Sequence, residues 1–215
     1  MNLIRIILAI LVVSIIPLSL LCNPEMFWEL GPVENGDLVV LLLGMFTCIY
    51  WYKYDGVGSY FRPVWKVGGL LFFLAAACEV SWGRIFMING INEEGPIIPS
   101  MKSLWFGNYI YSAVGVLIVI LLYMMYKYRH ETGDLVYRLV RSKESMLYFG
   151  LFFILLSSAT VIWDPNRIAS LSQWHQAFEE MSELTAYFAT YALAWKAHLL
   201  SQETVIQDTT SNMKK

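Results

Sequence analysis

Six stretches of this chain are each apolar for about twenty residues, close to the length a helix needs to cross the hydrocarbon of a bilayer. They fall at about 3–22, 36–53, 66–88, 104–126, 145–163 and 174–196. A backbone in lipid finds no water to bond, so such segments must close their own hydrogen bonds as helices. The composition agrees: 57% of the residues are hydrophobic and 15% charged, against about 25% charged in ordinary soluble domains. The expected fold is all-α, a polytopic membrane helix bundle with about six transmembrane helices. The run "LVVLLLGMFTCIYWY" is short, so the second span is expected to begin near Glu34 or Asp37. The first run exceeds the ~7–15 residues of a signal-peptide core and no A-x-A site follows, so it is read as a retained span. Residues 1–200 are expected to form one transmembrane domain, followed by a disordered, polar tail at 201–215.

Orientation follows from lysine and arginine, which concentrate on the cytoplasmic side. Twelve of the fifteen fall on one side of the expected bundle, among them Arg5, Lys53, Arg62, Lys127, Lys143 and Lys196. Arg84, Lys102 and Arg167 fall on the other. Both termini are therefore expected in the cytoplasm. Trp28, Trp51, Trp65, Trp105, Trp163, Trp174 and Trp195 lie near the expected interfaces and read as an anchoring belt. The basic loop around "DLVYRLVRS" admits an amphipathic helix on anionic lipid, but a plain anchor loop is the preferred reading. The net charge of -2 argues against a nucleic-acid partner. Cys22, Cys48 and Cys78 form no C-x-x-C pair and read as small apolar residues.

Against this background the acids stand out. "HQAFEEMSEL", residues 175–184, puts three glutamates and a histidine at the start of the sixth span. An ionisable side chain in hydrocarbon costs several kcal/mol and is by default functional. His175, Glu179 and Glu183 follow i, i+4, i+8 and share a helix face, which Tyr187 and Tyr191 continue. Glu183 is expected roughly 10 Å below the outer surface at 1.5 Å per residue. Glu79 lies about two-thirds along the third span, in the outer half, with Arg84 near its outer edge; Glu34 and Asp37 open the second span from the same side. Acids from three helices thus reach one depth. The competing reading is a set of ties, with Arg84, Lys102 or Arg167 pairing the acids to hold helices together.

Three blocks carry a resemblance. "GPVENGDLV" at 31–39, "CEVSWGRIFMI" at 78–88 and "FEEMSEL" at 178–184 resemble, in order and spacing, an acidic helix start, an "EEISWGQRIFG"-like helix end and an "EE-x-x-EL"-like final helix. These belong to a family of bacterial inner-membrane proteins of unassigned function. Cys78 stands in place of that motif's first glutamate, and the glutamine after "SWG" is missing. The resemblance implies an inner-membrane location and implies that Glu79, Ser81, Trp82, Gly83, Arg84, Glu179, Glu180 and Glu183 act together. It implies no activity and no cofactor.

The candidate ligand-binding residues are therefore Glu79, Glu179, Glu183, His175, Arg84, Ser81, Trp82 and Asp37. The first functional expectation is a binding or accessory membrane protein, whose outward-facing acidic cavity takes a cation, an amine-bearing ligand or a partner's basic segment. Its partners are membrane lipid and another protein in the membrane. The second is an intramembrane hydrolase acting on lipid, with His175, Glu179, Glu183 and Glu79 as a metal set. One histidine among carboxylates is a poor zinc site. The third is a proton or cation pathway, for which the inner half of the bundle offers little beyond Thr47, Thr190 and tyrosines.

Overall fold

The computed structural model describes residues 1–28, 31–54, 60–92, 95–159 and 174–212, with side chains of the last helix described through Glu203. Seven α-helices account for most of them: α1 (Asn2–Leu21), α2 (Pro32–Tyr54), α3 (Arg62–Glu79), α4 (Gly107–Lys127), α5 (Arg129–Arg141), α6 (Lys143–Ser157) and α7 (His175–Asn212). A two-residue antiparallel pairing, Ile91 with Pro96 and Asn92 with Gly95, tightens the loop after α3. By length and composition three stretches could cross a membrane: Asn2–Leu21, Pro24–Tyr54, which ends in α2, and Gly107–Lys127. Their large side chains stay on the outside, as with Val13 on α1 and Val119 on α4. A soluble protein would cover so extended an apolar surface; lipid makes it the stable arrangement.

The core runs along α7, which packs against α1, α2 and α6, while α2 and α3 form the closest pair. Ala186, Ala189 and Ala192 are fully buried, so small side chains let neighbouring backbones approach α7. At the α2–α3 seam the space above Gly44 is filled by the ring of Phe72, and Cys48 lies over Gly68 and Gly69. Where the chain turns into α2, a Cβ at Gly31 would stand 2.6 Å from the Trp28 carbonyl oxygen, so the turn requires glycine there.

Several expectations change. The third helix ends at Glu79, nine residues before the expected boundary at 88. Ser81, Trp82 and Gly83 take successive left-handed conformations, with φ of 45°, 56° and 87°, and turn the chain out of the helix. Hydropathy registers apolar content and is blind to such a turn. Trp51 and Trp65 are buried, not belt residues: they meet edge to face at 4.9 Å, and Trp51 stacks flat on His198 at 4.2 Å. Trp105 is 85% exposed, as an anchor would be, and Trp163 lies outside the described residues. "DLVYRLVRS" is helical within α5 as far as Arg141, with Leu135 buried and Val136, Tyr137 and Val140 exposed. α7 continues past residue 200 to Asn212, so the expected boundary there does not coincide with a helix end; 213–215 lie outside the described residues.

One end of the bundle is tied by charge. Arg5 Nε donates to Glu144 Oε1 at 2.6 Å, Lys196 Nζ stands 3.3 Å from Oε2, and the Tyr148 hydroxyl donates to Oε1 at 2.6 Å. The hydrogen bond from Arg5 leads these partners in holding the Glu144 carboxyl at about 2, well below the usual carboxylate range. A depressed carboxyl contributes stability that is complete above its unfolded value and fades as pH falls toward the folded one. Glu144→Gln should therefore melt about 2–4 °C below the parent at pH 7. The gap should close as pH drops from about 5 toward 2. Melts in detergent across that range check it; a gap independent of pH would show that packing, not charge, is lost.

Candidate functional site

Three helices each deliver one acid to a common point. Asp37 sits in the second turn of α2, Glu79 is the last residue of α3, and Glu183 lies in the third turn of α7. One carboxylate oxygen from each falls within 4.8 Å of the other two. Close approach of α2 to α7 is permitted beside the site by Gly36, whose missing side chain faces Leu184. On α7 itself, Ser182 and Thr185 are buried, and the Thr185 hydroxyl donates to the Met181 carbonyl within its own helix.

The three acids differ in their surroundings. Asp37 is 0% exposed, and neither of its carboxylate oxygens has a hydrogen-bond partner among the described residues. Glu79 accepts a 2.5 Å hydrogen bond from the Tyr187 hydroxyl, across 108 residues of chain. Glu183 is half-buried. Like charge surrounds Asp37: Glu79, Glu180, Glu183 and Glu34 all act on it. Glu79 also stands at the C-terminal end of its helix, where the helix dipole disfavours an anion. Among the described residues no lysine or arginine is ion-paired to Asp37, Glu79 or Glu183. Three carboxylates so close and so poorly solvated cannot all remain charged without a cation or protons among them.

The remaining candidate residues are arranged differently from the expectation. Arg84 does not compensate the acids. Its Nε donates to the Ser81 carbonyl and its Nη1 to the Pro99 carbonyl, each at 3.1 Å, so the guanidinium pins the loop after α3. Ser81 and Trp82 form the left-handed turn that ends α3 and thereby leave Glu79 at a helix terminus. His175 is the first residue of α7, two turns before Glu183, and neither it nor Glu179 belongs to the converging triad; both are half-buried and engaged in other interactions. Asp37 takes the place that the expected metal set assigned to them. Lys102 is exposed, and Arg167 lies outside the described residues. Tyr187 was visible only as a continuation of the α7 stripe; its bond to Glu79 needs the packing of α3 on α7.

Beside Glu79 a narrow recess opens between α2 and α3, lined by Glu34, Asn35, Leu38, Glu79, Val80 and Ile85. It leaves about 10 Å³ for the centre of a water-sized particle. That is room for one water or one ion. The water-accessible acidic cavity expected at this depth is narrow beside Glu79.

No family model, curated protein or solved structure matches this chain. Its class follows from the fold and the site: a helical protein with three helices fit to cross a membrane, carrying between α2, α3 and α7 a carboxylate triad of one buried and two half-buried acids.

Proposed function

We propose that the protein is a multi-pass binding or accessory protein of the bacterial inner membrane, related to the family that its 31–39, 78–88 and 178–184 blocks resemble. In this reading α1, α2, α3, α4, α6 and α7 are six spans, both termini are cytoplasmic, and α5 lies on the cytoplasmic face. The acidic site opens to the extracytoplasmic side and takes a cationic group. The observation that carries the reading is Asp37, a fully buried carboxylate with no hydrogen-bond partner among the described residues, beside two further carboxylates. Burying a charge without compensation is costly enough that a protein keeps it only where a cation or proton completes it. The sidedness is supported by the ties of Arg5 and Lys196 to Glu144, which gather two basic side chains where the starts of α1 and α6 meet α7. Lys196 lies thirteen residues beyond Glu183 on α7, about 20 Å along the helix. The hydrolase reading has less support, because the triad contains no histidine and no cysteine.

An apolar carbodiimide, which attacks carboxyls in water-poor surroundings, tests the proposal. Asp37, Glu79 or Glu183 should be labelled in membrane vesicles. Calcium, methylammonium or spermidine added from the extracytoplasmic side should protect them, and the same cations added from the cytoplasmic side should not. Labelling that no cation prevents, or protection from the cytoplasmic side alone, would overturn it.

A further inference from the structure

We infer that Asp37, Glu79 and Glu183 bind one hard divalent cation directly, with Tyr187 positioning the Glu79 carboxylate. The inference rests on the cation-accepting role proposed above and narrows it to an inorganic ion. Three observations converge on it. The donor set consists of carboxylate oxygens, which suit calcium, manganese and magnesium and not softer metals. The spacing fits a single coordination sphere: oxygens on opposite sides of a calcium ion at ~2.3–2.6 Å lie about 5 Å apart, and the three oxygens here are already within 4.8 Å of one another. Magnesium, at ~2.0–2.1 Å, would require the three helices to close further. Beyond the clustering itself, Asp37 is 0% exposed and neither of its oxygens has a hydrogen-bond partner among the described residues, so a buried, unpartnered carboxylate faces the point where Glu79 and Glu183 converge.

The recess that the described residues form beside Glu79 favours an ion over an organic amine. Pockets for small organic ligands occupy ~300 Å³ or more, whereas the recess beside Glu79 leaves about 10 Å³. Waters reaching the ion through that recess would fill its remaining coordination positions. The Tyr187 hydroxyl, donating to Glu79 Oε1, leaves the second carboxylate oxygen to face the ion and fixes the ring of donors on α3 relative to α7. Because the ligands come from three helices, the ion would also clamp α2, α3 and α7 together.

The probe is manganese, followed by its electron paramagnetic resonance with the full-length protein in detergent, and calcium is the competitor. One manganese per chain should bind and be displaced by calcium. Asp37→Asn and Glu183→Gln should each weaken binding about 100-fold or more, while Glu144→Gln, at the opposite end of the bundle, leaves it unchanged. Tyr187→Phe should weaken binding about 10-fold, in keeping with loss of an orienting partner. Circular dichroism and melting of each variant establish that it is folded. No saturable manganese binding, or binding that survives Asp37→Asn in a folded protein, would overturn the inference. Carbodiimide protection by methylammonium or spermidine without manganese binding would sink this inference and leave the broader reading intact.

Discussion

Asp37→Asn is expected to make the metal-free protein more stable while removing its affinity for a cation. Asparagine keeps the shape of aspartate and deletes the charge. In the parent that charge is fully buried, and neither carboxylate oxygen has a partner among the described residues. The new amide would gain donors facing the carboxylates of Glu79 and Glu183, which lie within reach of the same point. Replacing a poorly compensated buried charge typically stabilises by about 1–4 kcal/mol. For a chain of this size each kcal/mol moves the melting temperature by about 2–4 °C. The melt should be run in chelator and again in calcium. In chelator the variant melts above the parent; in calcium the parent gains and the variant does not. An Asp37→Asn protein that melts below the parent in chelator would mean that aspartate ties the fold together, and the site would lose its functional reading.

Gly44→Leu is expected to have the opposite effect and a larger one. An added Cβ at Gly44 would stand only 2.5 to 2.7 Å from three atoms of the Phe72 ring. That ring is 5% exposed, in a core cluster with Leu41, Cys48, Trp51, Trp65 and Ala76, so it has little room to retreat. Even alanine there should cost about 1–3 kcal/mol by overpacking. Leucine adds three more carbons and should drive α3 off α2, costing more than about 3 kcal/mol. The two helices that carry Asp37 and Glu79 would then separate, so cation binding should fall with stability. Gly44→Leu combined with Phe72→Ala exchanges the bulk across the seam and should recover much of the loss. Melting of the single and double variants decides the matter. A Gly44→Leu protein as stable as the parent would contradict the close packing of this pair.

Much of the architecture was legible from hydropathy because lipid imposes a strict rule: a spanning backbone must be helical and about twenty residues long. α1 and α4 fall almost where their apolar runs lie, and α2 begins at Pro32, just before Glu34 and Asp37, as its short run required. The boundary of α3 was not legible. Its end depends on the backbone torsions of Ser81, Trp82 and Gly83, and "SWG" reads as apolar and small, not as a turn. The roles of the tryptophans were not legible either. Position near an interface is a property of sequence, whereas facing lipid or facing His198 depends on which way each helix is rotated.

The acids divide along the same line. From sequence alone, acids of the second, third and sixth apolar stretches are expected at one depth, because a span of about twenty residues makes depth calculable and ionisable side chains there are conspicuous. The sequence grouped Glu79 with Glu183 but could not determine the full set of acids that meet. Helical periodicity grouped His175 with Glu179 and Glu183, since neighbours on one face are the only contacts a single helix can reveal. The tertiary structure keeps Glu183 with Glu79, as the expected metal set had them, but brings in Asp37 in place of His175 and Glu179 and turns Arg84 to the carbonyls of its own loop. The bond from Tyr187 to Glu79 and the burial of Asp37 likewise exist only once three helices are packed. Depth is set along each helix by the chain itself; convergence is set between helices, by Gly44 under Phe72 and by the alanines of α7.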